Sequence, residues 1–298
     1  MEQGPYQFGI SEFTTWPWSF ARDVETYARL GVDAIEVCEC KLDDDDARAR
    51  EQLALVAPSN LAITSVQPAT RTLLPSQSQL EPTDVPARLA RFRRTIERVG
   101  PFAPDAPFVT NTGIPPNGNI AHVYEVAARA YRPLAEFAAD HGVRVALEPL
   151  NPSTMNTESA IWTLAQAMRV VTAVDHPAFG VCLDYWNIWQ EAEVEAAIKA
   201  CGDRIFVVQL SDWRTPRSLQ DRYIVGQGEI PLPPLIRATH ESGFRGAYSV
   251  EIFSHDVPDS LYDRDLSEVI RENRAGVDRA WAEAFNVVLP RDAPGEDG

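Results

Sequence analysis

Eight short apolar runs, each followed by a longer segment of helical periodicity, recur along the chain and constrain its fold more than any other feature. The runs are YQFGIS (6–11), AIEVC (34–38), LAITSV (61–66), PFVTNT (107–112), VRVALE (143–148), FGVCLD (179–184), RIFVVQ (204–209) and AYSVEI (247–252). Strands that alternate with helices form parallel sheets. Eight such units without a break in composition predict a single (β/α)8 TIM barrel over residues 1–288, with a disordered C-terminal tail over 289–298.

An open doubly wound sheet is the main alternative for an alternating pattern. Such a fold needs a glycine-rich phosphate turn after an early strand, and neither GxGxxG nor GxxxxGK[ST] occurs in the sequence. The barrel is therefore favoured. The segment from Gln67 to Val85 is too long for a simple connection between a strand and a helix, and we expect it to form a lid or rim.

The charge and hydropathy of the chain exclude several classes of partner. A net charge of −16 and a pI near 4.7 disfavour binding to nucleic acid, which requires a clustered basic surface. No apolar stretch approaches the roughly 20 residues that cross a bilayer, so no membrane contact is expected. The N-terminus lacks the pattern of a secretory signal, which predicts a cytoplasmic location. A homo-oligomer is compatible with these features.

The cysteines and lysines limit the chemistry. Cys38, Cys40, Cys182 and Cys201 form no CxxC pair and lie in or beside apolar runs, so we expect buried, reduced thiols. The only lysines are Lys41, in an acidic loop, and Lys199, on a predicted helix. No lysine lies inside a strand, which disfavours a Schiff-base mechanism.

Four polar side chains close consecutive strands, where a barrel of this kind builds its active site. They are Glu148, Asp184, Gln209 and Glu251, at or near the ends of strands five to eight. Any one alone could be solvated or could cap the next helix. Together they predict three carboxylates and one amide oxygen around one point, a set suited to one Mn²⁺, Mg²⁺ or Co²⁺ ion.

The chain resembles the xylose isomerase-like barrels known as sugar phosphate isomerases/epimerases. The resemblance runs through GVDAIEV (31–37), VALEPLNPS (145–153), FGVCLDYWN (179–187), VVQLSDW (207–213), GQGEIPLPPLI (226–236) and GFRGAYSVEIF (243–253). It implies that the four strand-end residues are metal ligands. It also implies that Glu148 and Glu251 flank the substrate carbon that loses and regains a proton, as catalytic acid/base groups.

Two positions depart from the pattern of that family. Many members have histidine at the position of Gln209, although members resembling hydroxypyruvate isomerase and some dehydroshikimate dehydratases have glutamine. The family often has a second histidine three residues after the aspartate, where this chain has Asn187. Asn187 is therefore expected to bind substrate by hydrogen bonds and not to supply an imidazole.

Further side chains near the strand ends are candidates for substrate binding. They are Trp186 and Trp213, Arg214, Arg217 and Arg222, and His255. The tryptophans could stack on a sugar face or pack under helices. The arginines could bind a phosphate or carboxylate, or form salt bridges in a solvated loop. His255 is the one histidine near enough to a strand end for catalysis.

The expected function is divalent-metal-dependent isomerisation or epimerisation of a ketose-like sugar. A base abstracts a proton next to a carbonyl, and the metal stabilises the resulting enediolate. Two alternatives stay open at this point: a lyase or dehydratase that uses the same first step, and a non-catalytic subunit that binds sugar or metal. An endonuclease on this fold is excluded because it requires several more histidine ligands and a basic groove.

Overall fold

The eight predicted strands close into a parallel barrel in the computed structural model, which describes residues 5–155, 157–215, 221–255 and 257–289. The strands are β1 (Gln7–Ser11), β2 (Ala34–Cys38), β3 (Ala62–Gln67), β4 (Pro107–Thr110), β5 (Arg144–Leu147), β6 (Phe179–Asp184), β7 (Ile205–Leu210) and β8 (Ala247–Val250). Each strand pairs with its neighbour in the sequence, and β1 also pairs with β8. The prediction of a (β/α)8 TIM barrel is confirmed.

Helices follow the strands and cover the outside of the barrel. They are α1 (Phe20–Arg29), α2 (Asp46–Leu53), α3 (Val85–Val99), α4 (Ile120–Asp140), α5 (Leu164–Val174), α6 (Tyr185–Ile188), α7 (Val194–Cys201), α8 (Leu232–Glu241) and α9 (Leu266–Phe285). Helix α1 buries Phe20, Val24 and Tyr27, whose spacing of three to four residues defines one apolar face. None of the described helices combines the length and apolar character that a membrane span requires.

The acidic run at residues 43–46 leads into helix α2, which starts at Asp46. The Asp45 side chain accepts hydrogen bonds from the backbone N–H groups of Ala47 and Arg48. A carboxylate at this position satisfies N–H groups that have no partner within the helix.

Strand alternation places the polar strand-end residues above a packed apolar layer. Because side chains two residues apart lie on one face of a strand, Ala146 lies below Glu148, Cys182 below Asp184, and Val207 below Gln209. Those three lower residues belong to one buried apolar cluster, which also includes Val109 and Phe206. This layer fills the interior of the barrel, so a substrate can bind only above it, at the carboxyl ends of the strands.

The segment that follows β3 forms hydrogen bonds to the residues just beyond the end of β4. The sequence predicts a strand to residue 112, but β4 ends at Thr110. Beyond it, the carbonyl groups of Asn111 and Thr112 accept hydrogen bonds from the N–H groups of Leu73 (2.8 Å) and Leu74 (2.9 Å). The long segment that we expected to be a lid or rim is therefore bonded to the end of β4 and forms part of a fixed rim.

A buried ionic cluster lies behind the ends of β1 and β2. The Lys41 ammonium group lies 2.5 Å from Asp23 Oδ2 and 3.9 Å from Glu12 Oε1, and it donates to the Thr15 carbonyl (2.9 Å). Only 6% of the Lys41 side chain is exposed. Burial raises the pKa of Glu12 and of Asp23, and the lysine charge opposes both shifts. Lys41 therefore compensates buried carboxylates and is not available as a nucleophile.

The prediction about the cysteines is correct for three of the four. Cys38, Cys182 and Cys201 are buried and free, whereas Cys40 is exposed. Cys40 lies in the short turn that follows β2, where the chain leaves the core and the apolar context of the strand no longer applies. The expectation of a buried thiol at this position was wrong.

Replacing Lys41 by methionine should lower the free energy of unfolding by about 3–5 kcal/mol, because Asp23 and Glu12 would stay buried without a cation. Lys199→Met is the matched control. Lys199 pairs with Glu241 at 2.7 Å on the surface, where about half of each side chain is exposed, so its loss should cost under about 1 kcal/mol. Urea denaturation at neutral pH measures both effects, and equal losses would contradict the argument.

Candidate metal centre and active site

Three buried carboxylates converge at the carboxyl ends of the strands. Glu148, Asp184 and Glu251 each offer one oxygen such that these atoms lie within 4.8 Å of one another. Glu148 follows the last residue of β5, Asp184 ends β6, and Glu251 follows β8. Backbone hydrogen bonds join two of these residues to the neighbouring strand. Glu148 N–H donates to the Thr110 carbonyl (2.9 Å), and Glu251 N–H donates to the Leu210 carbonyl (3.0 Å).

Arg222 is the cation that directly faces this carboxylate triad. Its Nη2 lies 2.8 Å from Asp184 Oδ2, and its Nη1 donates to Glu251 Oε2 at 2.6 Å. The guanidinium group is buried between the rings of Trp186 (5.1 Å) and Phe253 (4.8 Å). Arg222 lies in the loop after β7. Of the predicted candidate arginines that the structure describes, Arg214 and Arg222, the second reaches the centre.

The triad contains more negative charge than Arg222 compensates. Burial raises the pKa of Glu148 to about 7, the charge of Asp184 adds to this effect, and Arg222 opposes it. Burial also raises the pKa of Asp184 and that of Glu251, again against the effect of Arg222. Three carboxylates that share one guanidinium fit a divalent cation, which would stabilise their ionised forms. The donor set consists of hard oxygens, as Mn²⁺ and Mg²⁺ prefer.

Gln209 contacts the triad from β7, below Glu251. Its Nε2 donates to Glu251 Oε1 (2.9 Å) and to Glu36 (2.9 and 3.1 Å), while its Oε1 accepts from the Cys182 thiol (3.1 Å). In this orientation the amide nitrogen faces the carboxylates. Rotation of the amide by 180° would turn the oxygen toward them, as a metal ligand requires. The role of Gln209 as the fourth ligand stays a prediction.

Two asparagine side chains orient Glu148. Asn187 Nδ2 donates to Glu148 Oε1 (2.8 Å) and to Asp184 Oδ2 (2.7 Å), and Asn187 Oδ1 accepts from the backbone N–H of Asn151 (2.9 Å). Asn111 Nδ2 donates to Glu148 Oε2 (3.2 Å). Asn187 therefore contacts both carboxylates in the position where many related barrels have histidine, but its amide cannot transfer a proton at neutral pH.

A cavity opens above the triad. Its walls are formed by Phe13, Gln67, Arg71, Ser78, Asn111, Leu150, Thr154, Glu158, Trp186, Asn187, Arg222 and Phe253, with Glu148 and Glu251 at its base. Three aromatic side chains, those of Phe13, Trp186 and Phe253, supply an apolar surface. Such a surface excludes water and can pack against the face of a sugar ring.

Three of the remaining predicted substrate-binding residues, Trp213, Arg214 and His255, lie away from this cavity. Trp213 packs against Trp189 (5.6 Å between ring centres), and Arg214 pairs with Asp259 (2.7 Å) near the surface. His255 is exposed and contacts Trp16 and Tyr262 edge-on. The structure does not bring these three side chains to the cavity wall, whereas Arg222, from the same loop as Arg214, and Phe253, two residues before His255, do line it. Arg217 lies outside the described residues.

Several residues of the site were missed from the sequence, among them Glu36, Asn111, Gln67 and Arg71. Glu36 lies inside β2, where its carboxylate accepts from Gln209 and from Ser65 Oγ (2.7 Å). A charged residue within an otherwise apolar strand is a signal that could have found it. Asn111 and Gln67 lie at the ends of β4 and β3, so the strand-end rule applies to them as well. Arg71 carries no sequence signal, because its position depends on the path of the rim segment.

A sequence model of the xylose isomerase-like TIM barrel family matches residues 24–278, which is most of the chain. The chain belongs to this family. The resemblance stated from the sequence motifs is therefore confirmed, and the triad lies at the end of the barrel where members of a TIM-barrel family hold their active sites.

Proteins of similar sequence include enzymes of two reaction types. The chain is 27% identical over 242 residues to a 3-dehydroshikimate dehydratase of Pseudomonas putida, an alignment that covers 78% of this chain and 35% of that enzyme. It is 30% identical over 125 residues to an inosose isomerase of Halalkalibacterium halodurans, covering 40% and 43%. The alignments span less than half the length of either relative.

Solved structures show the same fold. The IOLI protein, solved with a zinc atom bound, superposes with a TM-score of 0.74 at 20% identity, covering 94% of this chain and all of that one. At this identity the similarity concerns the architecture of the barrel.

Replacing Arg222 by methionine should destabilise the metal-free protein by about 3–5 kcal/mol, because Asp184 and Glu251 would lose their buried cation. Arg214→Met is the control, since the Arg214–Asp259 pair is more than one-third exposed and should contribute under about 1 kcal/mol. Urea denaturation in the presence of a chelator tests both variants. A loss for Arg222→Met no larger than that for the control would refute the proposed electrostatic role.

Proposed function

We propose that the protein is a divalent-metal-dependent isomerase or epimerase that removes and returns a proton next to the carbonyl of a ketose-like sugar. The observation that carries the proposal is the convergence of Glu148, Asp184 and Glu251 under a cavity with aromatic walls. Glu148, Asp184 and Glu251 would hold the ion, with Gln209 as the fourth ligand after rotation of its amide. The ion, when bound, would polarise the substrate carbonyl and so acidify the neighbouring C–H group.

Glu148 is the favoured base in this proposal. Its carboxylate lies at the base of the cavity, where it can reach a bound substrate and act as a general base. Its hydrogen bonds come from the neutral amides of Asn111 and Asn187, which orient it without an ion pair. Glu251, on the other side of the triad and paired with Arg222, would return the proton.

A dehydratase is the second candidate. The relative from Pseudomonas putida, which aligns over 242 residues, is a dehydratase, and the first chemical step, abstraction of a proton next to a carbonyl, is shared. The two reactions differ in their second step: an isomerase returns the proton, whereas a dehydratase expels a hydroxyl group from the adjacent carbon and leaves a conjugated double bond.

Elemental analysis tests the metal site directly. Protein stripped with a chelator, reloaded with Mn²⁺ and desalted should retain about one equivalent. The double variant Glu148→Gln, Glu251→Gln should retain none, because two of the three carboxylates are lost. Glu158→Gln is the matched control, since Glu158 lines the same cavity outside the triad and bonds to Ser78. Absence of metal from the wild-type protein, or its retention by the double variant, would overturn the proposal.

Exchange of substrate hydrogen for solvent deuterium tests the chemistry. Mn²⁺-loaded wild-type protein should incorporate deuterium next to the carbonyl of a ketose in a screening panel. The single variant Glu148→Gln should lower the rate by a factor of about 10²–10⁴, since it removes the base and keeps the shape of the side chain. A new ultraviolet absorbance without deuterated ketose would identify the dehydratase instead, and no reaction with any hydroxylated carbonyl compound would count against both.

A further inference from the structure

The cavity wall formed by β3 and the segment after it carries two polar side chains that make no hydrogen bond or salt bridge to other described residues. Gln67, the last residue of β3, is 4% exposed and lines the cavity, and Arg71 lines it four residues later. Within the described part of the chain, neither the Gln67 amide nor the Arg71 guanidinium group makes a side-chain hydrogen bond or a salt bridge. Both groups therefore have their hydrogen-bonding capacity free on the side of the cavity.

The backbone of Arg71 is held firmly. Its carbonyl accepts from Asn111 N–H (3.0 Å) and from Thr110 Oγ1 (2.8 Å), and its N–H donates to Gln79 Oε1 (3.1 Å). Since Asn111 also donates to Glu148, Arg71 is fixed to the same strand end that orients the favoured base. The restrained backbone fixes the point from which the Arg71 side chain reaches into the cavity.

The other charged groups of the cavity already have partners. Arg222 is bound to Asp184 and Glu251. Glu158 accepts from the backbone N–H (3.0 Å) and the hydroxyl group (2.5 Å) of Ser78. Arg71 is thus a half-buried cation in the wall of the cavity, without an ion pair to any described carboxylate. A half-buried charge without a counter-charge is costly, so its compensation by a bound anion would be favourable.

We infer that Gln67 and Arg71 form a subsite for the carboxylate of a hydroxylated substrate. A guanidinium group matches a carboxylate through two parallel hydrogen bonds, and a glutamine amide beside it can bind an adjacent hydroxyl group or the second face of the carboxylate. A neutral ketose would satisfy Gln67 but would leave the Arg71 charge without a counter-ion. The substrate class that satisfies both groups is a ketose-like compound that also carries a carboxylate, that is, a polyhydroxylated keto acid. This assignment rests on the proposed function, because it presumes that the reacting carbonyl lies at the triad.

Paired acid and ester ligands test the subsite. Shikimate and quinate are cyclic hydroxylated carboxylates, and their methyl esters have nearly the same shape without the charge. In calorimetric titrations of Mn²⁺-loaded wild-type protein, at least one acid should bind about 10- to 100-fold more tightly than its ester, as expected for hydrogen bonds between charged groups. In Arg71→Gln this ratio should fall to about one. In Arg214→Gln, which removes the same charge near the same end of the barrel, the ratio should persist.

Several results would overturn the assignment. Equal affinity for acid and ester, no binding of either pair, or an acid preference that persists in Arg71→Gln would each do so. A third probe distinguishes carboxylate from phosphate: if fructose 6-phosphate is preferred over fructose in an Arg71-dependent manner while shikimate and quinate show no preference over their esters, the anion is a phosphate and the carboxylate assignment is wrong.

Repeating the titrations on chelator-treated protein separates this inference from the proposed function. If the wild-type protein retains no metal but still binds the acid more tightly than the ester, and this preference depends on Arg71, the metal mechanism alone is refuted. One equivalent of Mn²⁺ in both wild type and Arg71→Gln, with no acid preference in either, would refute the carboxylate subsite alone. Gln67→Ala should weaken binding of the preferred acid without changing metal content, which locates the effect in the β3 wall.

Discussion

The site depends on the interaction of one buried guanidinium group with two buried carboxylates. Arg222 bonds to Asp184 and Glu251, which come from strands two apart in the barrel, and so links the β6 and β8 sides of its mouth. Without a cation, close burial of these carboxylates would force at least one to take up a proton. The raised pKa of Glu148 indicates that Arg222 alone does not fully compensate the charge. This excess of buried negative charge destabilises the metal-free protein, and a bound divalent ion would compensate it.

The cavity divides into two halves of different character. The half built by β5 to β8 holds the carboxylates and Arg222, whose charges interact with one another. The half built by β3 and the rim segment presents Gln67 and Arg71, whose polar groups face the cavity. In the proposed function, the first half carries the chemistry and the second half recognises the substrate carboxylate. The rim segment is bonded to the end of β4, and Asn111, one residue beyond that strand, contacts both halves.

Much of the site could be predicted from the sequence because strand ends are marked by a change from apolar to polar residues. Glu148, Asp184 and Glu251 were found in this way, and the closed parallel barrel that brings them together is implied by eight repeated units. Glu36 was not found by this rule because it lies within a strand and not at its end. The loop residues could not be assigned by any such rule. Of Trp213, Arg214 and Arg222, which come after β7 in the sequence, only Arg222 turns inward, and no local pattern distinguishes it from Arg214.

The sequence by itself determined the barrel, the face on which the site lies and the three carboxylates, since hydrophobic periodicity and the change from apolar to polar residues at strand ends are local properties that repeat along the chain. Tertiary structure alone decided the ion pairs of Arg222, the orientation of the Gln209 amide and the entry of Arg71 into the cavity wall. The positions of Arg222 and Arg71 depend on long loops, and the path of the rim segment is fixed by hydrogen bonds to a distant strand end, such as that between Leu73 and Asn111. The Gln209 amide is oriented by Glu36, Cys182 and Glu251, which come from other strands of the barrel. Such contacts join residues far apart in the sequence, and therefore leave no periodic trace in it.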